Sequence, residues 1–121
     1  MLKQLPIYSP EEFESQKHPF SIKRLSTTIG AELHDIDLKK DLSQEEKDHI
    51  YNALLTYKVI FFRDQDISTE QHMRFGQYFG ELEIHPFAPL GTNREDHPEV
   101  LRITHNRDNK PKENAWHSDV T

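Results

Sequence analysis

The chain contains no cysteine in its 121 residues. Disulfide frameworks, zinc–thiolate sites and thiol nucleophiles are therefore excluded together. It has four glycines, two methionines and one tryptophan, and no long hydrophobic run. The amino-terminal stretch "MLKQLPIYSPEEF" lacks the continuous apolar centre of a signal peptide, and nothing approaches the length of a membrane span. A cytoplasmic address and no membrane partner are expected. Basic charge is also short. Residues 1–60 carry a net charge of −2 and residues 61–121 a net charge of −4, within a total of −6. Neither half offers the positive field that phosphate backbones require, so no nucleic-acid partner is expected.

What is present is a lean apolar set, 34% of residues against 30% charged, with a mean hydropathy of −0.86. Twelve aromatics spread over periodic positions argue against disorder. Eight histidines keep metal chemistry open. The length allows one domain at most, and no repeat or low-complexity tract is present.

Residues 1–20, punctuated by Pro6, Pro10 and Pro19, read as an irregular arm. "FSIKRLSTTIGAELHDIDL" (20–38) alternates loosely and predicts two short strands. "LSQEEKDHIYNALLTYK" predicts a helix, with Ser43 and Glu46 at capping-box spacing and Ile50, Ala53, Leu54 and Tyr57 at helical intervals. "VIFFRDQ" (59–65) suits a short buried strand. "STEQHMRFGQYFG" predicts a second capped helix, Ser68 to Gln71, with Phe75 and Phe79 one turn apart and Gly80 as the stop. The proline-rich "HPFAPLGTNREDHP" has the length of a functional loop. "EVLRIT" (99–104) and "AWHSDVT" predict further strands. The order predicts an α+β fold.

On a strand, side chains i and i+2 share a face. His117 and Asp119 would then converge, offering an imidazole and a carboxylate to one metal ion. With a second histidine this is the facial triad of non-haem iron(II). An H-x-D triplet alone is weak evidence, and a surface histidine beside an exposed aspartate is its bland counterpart.

Four stretches in order, "VIFFRDQ", "FGELEIHP", "THNRDN" and "NAWHSDVT", carry more weight together. The chain resembles the taurine dioxygenase/TfdA-like family of iron(II)- and 2-oxoglutarate-dependent dioxygenases from about Ile22 to Thr121. The resemblance implies the amino-terminal part of a double-stranded β-helix (jelly-roll) fold over residues 21–121, behind an arm at 1–20. It implies that His117 and Asp119 are iron ligands and that Trp116 packs to fix their strand. His85 matches a histidine that in taurine-type members reaches the substrate sulfonate, and an imidazole can donate there whether neutral or charged. Asn114 matches a polar residue near the substrate. Of the remaining histidines, His105 is the best candidate for a supporting contact; His49 and His72 fall on helices, and His18, His34 and His97 in irregular or edge segments.

The implied cofactors are Fe(II) and, as co-substrate, 2-oxoglutarate; the implied partners are O2 and a small anionic organic substrate, in a homo-oligomer when full-length. A sulfonate such as taurine, hydroxylated with release of sulfite, is the first expectation. One departure weakens taurine itself. Taurine-type members carry a tyrosine three residues after the histidine matched by His85, where it helps bind the sulfonate, and here that position is Ala88. An alkylsulfatase-type dioxygenase is the alternative. A non-catalytic truncated binding module is a second, though intact His117 and Asp119 speak against it; a cupin-like protein would need clustered histidines. The family's distal histidine ligand and its 2-oxoglutarate-binding arginine have no counterpart here. The 121-residue chain alone is thus expected to be inactive, and marginally stable through exposed strand edges.

Overall fold

The computed structural model describes residues 6–84, 97–100 and 107–108. The chain divides into two compact units, Met1–Leu82 and Glu83–Thr121. The first holds, in order, α1 (Pro10–Glu14), β1 (Ser21–Arg24), β2 (Ala31–His34), α2 (Gln44–Tyr57), β3 (Ile60–Phe61) and α3 (Thr69–Gln77). This is α+β, as expected. No helix among the described residues is long and apolar enough to cross a membrane.

All three helices among the described residues start on the same local device. Ser9, Ser43 and Ser68 each accept a hydrogen bond from the backbone N–H three residues on, and Glu12, Glu46 and Gln71 reach back to the cap's own N–H. Two otherwise orphaned donors are satisfied at each start. Ser43 and Ser68 were legible from spacing. The Ser9 box corrects the reading of residues 1–20 as irregular throughout. Pro10 stands at the first helical position, where its missing N–H costs nothing. The turn so formed drives Phe13 into the core, where it is 1% exposed.

β1 and β2 pair antiparallel, with Ser21 opposite His34 and Arg24 opposite Ala31. β2 then pairs parallel with β3, with Ala31 opposite Ile60 and Glu32 opposite Phe61. A parallel partner requires a crossover, and α2 supplies it. One side of α2 closes the core through Ile50, Ala53 and Tyr57, while Leu54 is half-buried. Lys58 ends the helix in the left-handed region at φ 67°, with its N–H on the Leu54 carbonyl at 2.8 Å.

"VIFFRDQ" is not a buried strand. Among the described residues only Ile60 and Phe61 pair, and Val59 and Phe61 are 41% and 37% exposed. β3 is an edge of the described sheet, with β2 as its neighbour. Phe62 turns the other way and meets Phe75 of α3 edge-on at 5.3 Å. The segment expected as a strand from Glu99 begins instead with a turn, closed by the Val100 N–H on the His97 carbonyl at 3.1 Å. The rest of "EVLRIT" and all of "AWHSDVT" lie outside the described residues.

Candidate functional site

His85, Asn114, Trp116, His117 and Asp119, together with His105, lie outside the described residues. Among the described residues no group of three or more histidine, aspartate or glutamate side chains is arranged to hold a metal ion. The polar side chains that are described serve instead to lock the scaffold.

The central one is Glu32. It sits on β2 between two apolar neighbours and is 8% exposed, an expensive place for a carboxylate unless it is paired. Arg63 donates Nε to one oxygen at 3.1 Å; His34 donates Nε2 to the other at 3.0 Å, and Lys23 Nζ lies 3.6 Å away. The Arg63 hydrogen bond is the main cause holding the Glu32 carboxyl below the usual range; burial opposes it, and His34 and Lys23 assist. β1, β2 and the segment after β3 thus share one carboxylate.

A second lock fastens α1. Arg24 of β1 grips Glu14 with Nε and Nη2 at 2.5 and 3.0 Å and Glu11 with Nη1 at 3.0 Å. The Tyr57 hydroxyl donates to Glu14 at 2.7 Å. Burial, followed by this hydrogen bond, pushes the Tyr57 phenol well above its ordinary range. The Arg24 hydrogen bond is the leading cause that lowers the Glu14 carboxyl.

A third lock ties α3 to the loop after β2. Arg74 Nη2 donates to the carbonyls of Lys39 and Lys40 at 2.7 and 3.2 Å, and Nη1 pairs with Asp41 at 3.0 Å. Gln65 accepts from the Leu38 N–H at 2.9 Å and donates to the Ile36 carbonyl at 3.1 Å. A recess of about 450 Å³ opens beside this loop, lined by Asp35, Asp37, Asp41 and Glu46 among others. Its carboxylates already have partners: Ser21 on Asp35, Lys39 and Lys40 on Asp37, Arg74 on Asp41 and Ser43 on Glu46. Sequence reasoning passed over Glu32, Arg24 and Arg74. None carried a local signal: in Ala31-Glu32-Leu33-His34 alternation makes Glu32 an ordinary polar position, and the partners of Arg24 and Arg74 lie at least ten residues away in sequence.

Comparison with known proteins gives the class. The sequence profile of the taurine catabolism dioxygenase TauD, TfdA family matches residues 21–121, and the chain belongs to that family. An alkylsulfatase from Acinetobacter baylyi is 31% identical over 101 residues, which are 83% of this chain and 30% of that protein. An alpha-ketoglutarate-dependent sulfate ester dioxygenase from Pseudomonas putida is 32% identical over 116 residues, 93% of this chain and 35% of that one. Among solved structures, a Burkholderia xenovorans protein assigned as an alpha-ketoglutarate-dependent taurine dioxygenase superposes with a TM-score of 0.61 at 39% identity, covering 73% of this chain and 33% of its own. The fold is therefore the amino-terminal part of the jelly-roll dioxygenase fold. The chain spans about a third of the length of the curated relatives it matches.

Proposed function

We propose that this chain is the amino-terminal portion, over residues 21–121 with 1–20 as its arm, of an Fe(II)- and 2-oxoglutarate-dependent dioxygenase that oxidises a small organic sulfate or sulfonate. The observation that carries the proposal is the family match across residues 21–121, a range that contains every residue singled out for the site. A histidine nitrogen and a carboxylate oxygen at i and i+2 are the donor types that non-haem iron(II) accepts, so His117 and Asp119 fit the metal. When bound, iron and 2-oxoglutarate supply oxygen activation, with 2-oxoglutarate leaving as succinate and carbon dioxide. Trp116 would fix the ligand strand, and His85 and Asn114 would orient the anionic head so that the carbon beside it faces the metal.

The sulfate ester reading leads over the sulfonate. The Acinetobacter baylyi relative is named an alkylsulfatase and the Pseudomonas putida relative a sulfate ester dioxygenase, and Ala88 stands where taurine-type members carry the tyrosine that binds a sulfonate. Hydroxylation at the carbon bearing the sulfate oxygen gives a hemiacetal sulfate. Its collapse forms the aldehyde carbonyl and breaks the carbon–oxygen bond to sulfate, which leaves with the hydroxyl proton as hydrogen sulfate. A sulfonate such as taurine would release sulfite by the same route.

The test uses the protein purified from its source cells, in the length those cells make. It is supplied with iron(II), ascorbate, 2-oxoglutarate and oxygen, and challenged with a medium-chain alkyl sulfate and with taurine. Succinate formation matched one to one by sulfate from the alkyl sulfate is expected. Sulfite from taurine, without sulfate release, would move the substrate to the sulfonate. Failure of both, with a native mass of 14.3 kDa, would overturn the enzymatic proposal and favour a binding module.

A further inference from the structure

Alternation along the three strands sorts the sheet into two faces. Ile22, Ala31, Leu33, Ile60 and Phe62 lie in the core or pack against it. On the other face Lys23, Glu32 and Phe61 form a single cross-strand row, and His34 and Arg63 stand two residues further along. This second face is open. The Lys23 and Arg63 side chains are 68% and 55% exposed, with the exposed Phe61 ring beside them.

Charge on the open face is gathered rather than scattered. Both oxygens of Glu32 are taken, Oε1 by Arg63 and Oε2 by His34, with Lys23 at 3.6 Å. Two permanent cations thus share one saturated carboxylate, a local excess of positive charge in a chain of net charge −6. Arg63 uses only Nε on Glu32, and among the described residues its two Nη groups have no hydrogen-bond or ion-pair partner. Its guanidinium lies 5.1 Å from the centroid of the Phe61 ring. Lys23 Nζ is too far from Glu32 for a hydrogen bond and keeps its donors available.

What can cover such a face follows from the cost of burying charge. An apolar surface would desolvate Arg63 and Lys23 without a partner, and a basic surface would add repulsion. A carboxylate can accept from both Nη groups of Arg63 side by side, and an apolar side chain next to it can rest on Phe61. The relatives indicate a source for that cover. This chain corresponds to 30% of the alkylsulfatase and 35% of the sulfate ester dioxygenase, so in an enzyme of their length most of the polypeptide lies elsewhere.

We propose that the open face of the β1–β2–β3 sheet is the docking surface for the polypeptide that follows residue 121 in the longer enzyme, through a segment with a carboxylate opposite Arg63 and Lys23 and an apolar side chain on Phe61. This role rests on the reading of the chain as the amino-terminal portion of such an enzyme.

The experiment compares the 121-residue chain with the protein purified from its source cells, in the length those cells make. Both are treated with a water-soluble carbodiimide, which joins a lysine amine to a touching carboxylate as an amide while the reagent takes up the water lost. Linked peptides are identified by mass spectrometry. In the 121-residue chain Lys23 should link to Glu32 alone. In the source protein it should also link, within one polypeptide, to an aspartate or glutamate beyond residue 121. Acetylation of Lys23 by acetic anhydride, relative to an added lysine peptide, should be about tenfold slower in the source protein than in the 121-residue chain. Lys23→Gln should leave the urea midpoint of the 121-residue chain unchanged and lower that of the source protein, and Lys23→Arg should restore it. A longer source protein in which Lys23 links only to Glu32 and is acetylated at the same rate would overturn the docking and leave the dioxygenase reading standing. A link from Lys23 to a second copy, or any link besides Glu32 in the 121-residue chain, would overturn it too. A native mass of 14.3 kDa would remove the longer enzyme itself, and the docking with it.

Discussion

The Gly30 amide donates to the Tyr57 carbonyl at 2.8 Å, which fixes the first residue before β2 against the last residue of α2. The next amide, Ala31, donates to Val59 at 3.1 Å, and the parallel pairing of β2 with β3 follows from these two bonds. Gly30 achieves this at φ +89°, where a Cβ is strained even though the nearest atom, Leu25 Cβ, would be an ordinary 3.7 Å away. Gly30→Ala should therefore destabilise the chain by about 1–2 kcal/mol through backbone strain alone. Urea unfolding followed by circular dichroism checks this, and an unchanged midpoint would refute it.

Glu32 gives a pH signature. Its folded carboxyl is held low by Arg63 above all, so its contribution is present above the unfolded carboxylate range and is lost as pH falls through the lower, folded value. Glu32→Gln should lower stability at pH 7 and flatten its dependence on pH in the acid range. Urea midpoints at pH 7, 5 and 3.5 for both proteins are the measurement. Parallel curves would mean that the charge is not what Arg63 and His34 hold.

Tyr57→Phe removes a hydroxyl donor to Glu14 and leaves the ring in the core. The loss should be about 1 kcal/mol, the net worth of such a bond when Arg24 still satisfies the acceptor. Arg24→Met, which strands Glu14 and Glu11 together, should cost more than Tyr57→Phe in the same assay.

Phe61 is an exposed aromatic on an edge of the described sheet. Phe61→Lys should reduce concentration-dependent association, as charge on an edge strand does. Light scattering across a dilution series decides it, and equal scattering by both proteins would locate any association elsewhere.

For the proposed iron ligands the expected outcome is selective. His117→Ala and Asp119→Ala should each abolish iron-dependent turnover by the source protein carrying them. The stability of the Met1–Leu82 unit, which contains neither residue, should be unaffected in the 121-residue chain.

The helices were legible because their signals are local. A serine, its partner three residues on and a periodic apolar stripe all lie within one or two turns, so Ser43 and Ser68 announced α2 and α3. β1 and β2 were legible by alternation around Gly30. β3 was misjudged because a run of four apolar residues does not reveal how many of them find a pairing partner, which depends on chain far away. The same distance hid Arg63 from Glu32 and Arg74 from Lys39 and Lys40. Phe13 was missed for the opposite reason: flanking prolines read as irregularity when one of them opens a helix. His117 and Asp119 were assigned through the family pattern alone, and both lie outside the described residues.

The three serine boxes also bear on how the chain finds its structure. A five-residue helix such as α1 cannot hold itself together in water. Its box supplies phase more than strength, setting which side chain of "PEEFE" arrives at the core when the turn closes. Each helix thus carries its own starting mark, and a frame error made in one need not propagate to the next. Replacing Ser9 by alanine would leave the composition of the lead-in almost unchanged and still allow Phe13 to arrive facing the wrong way.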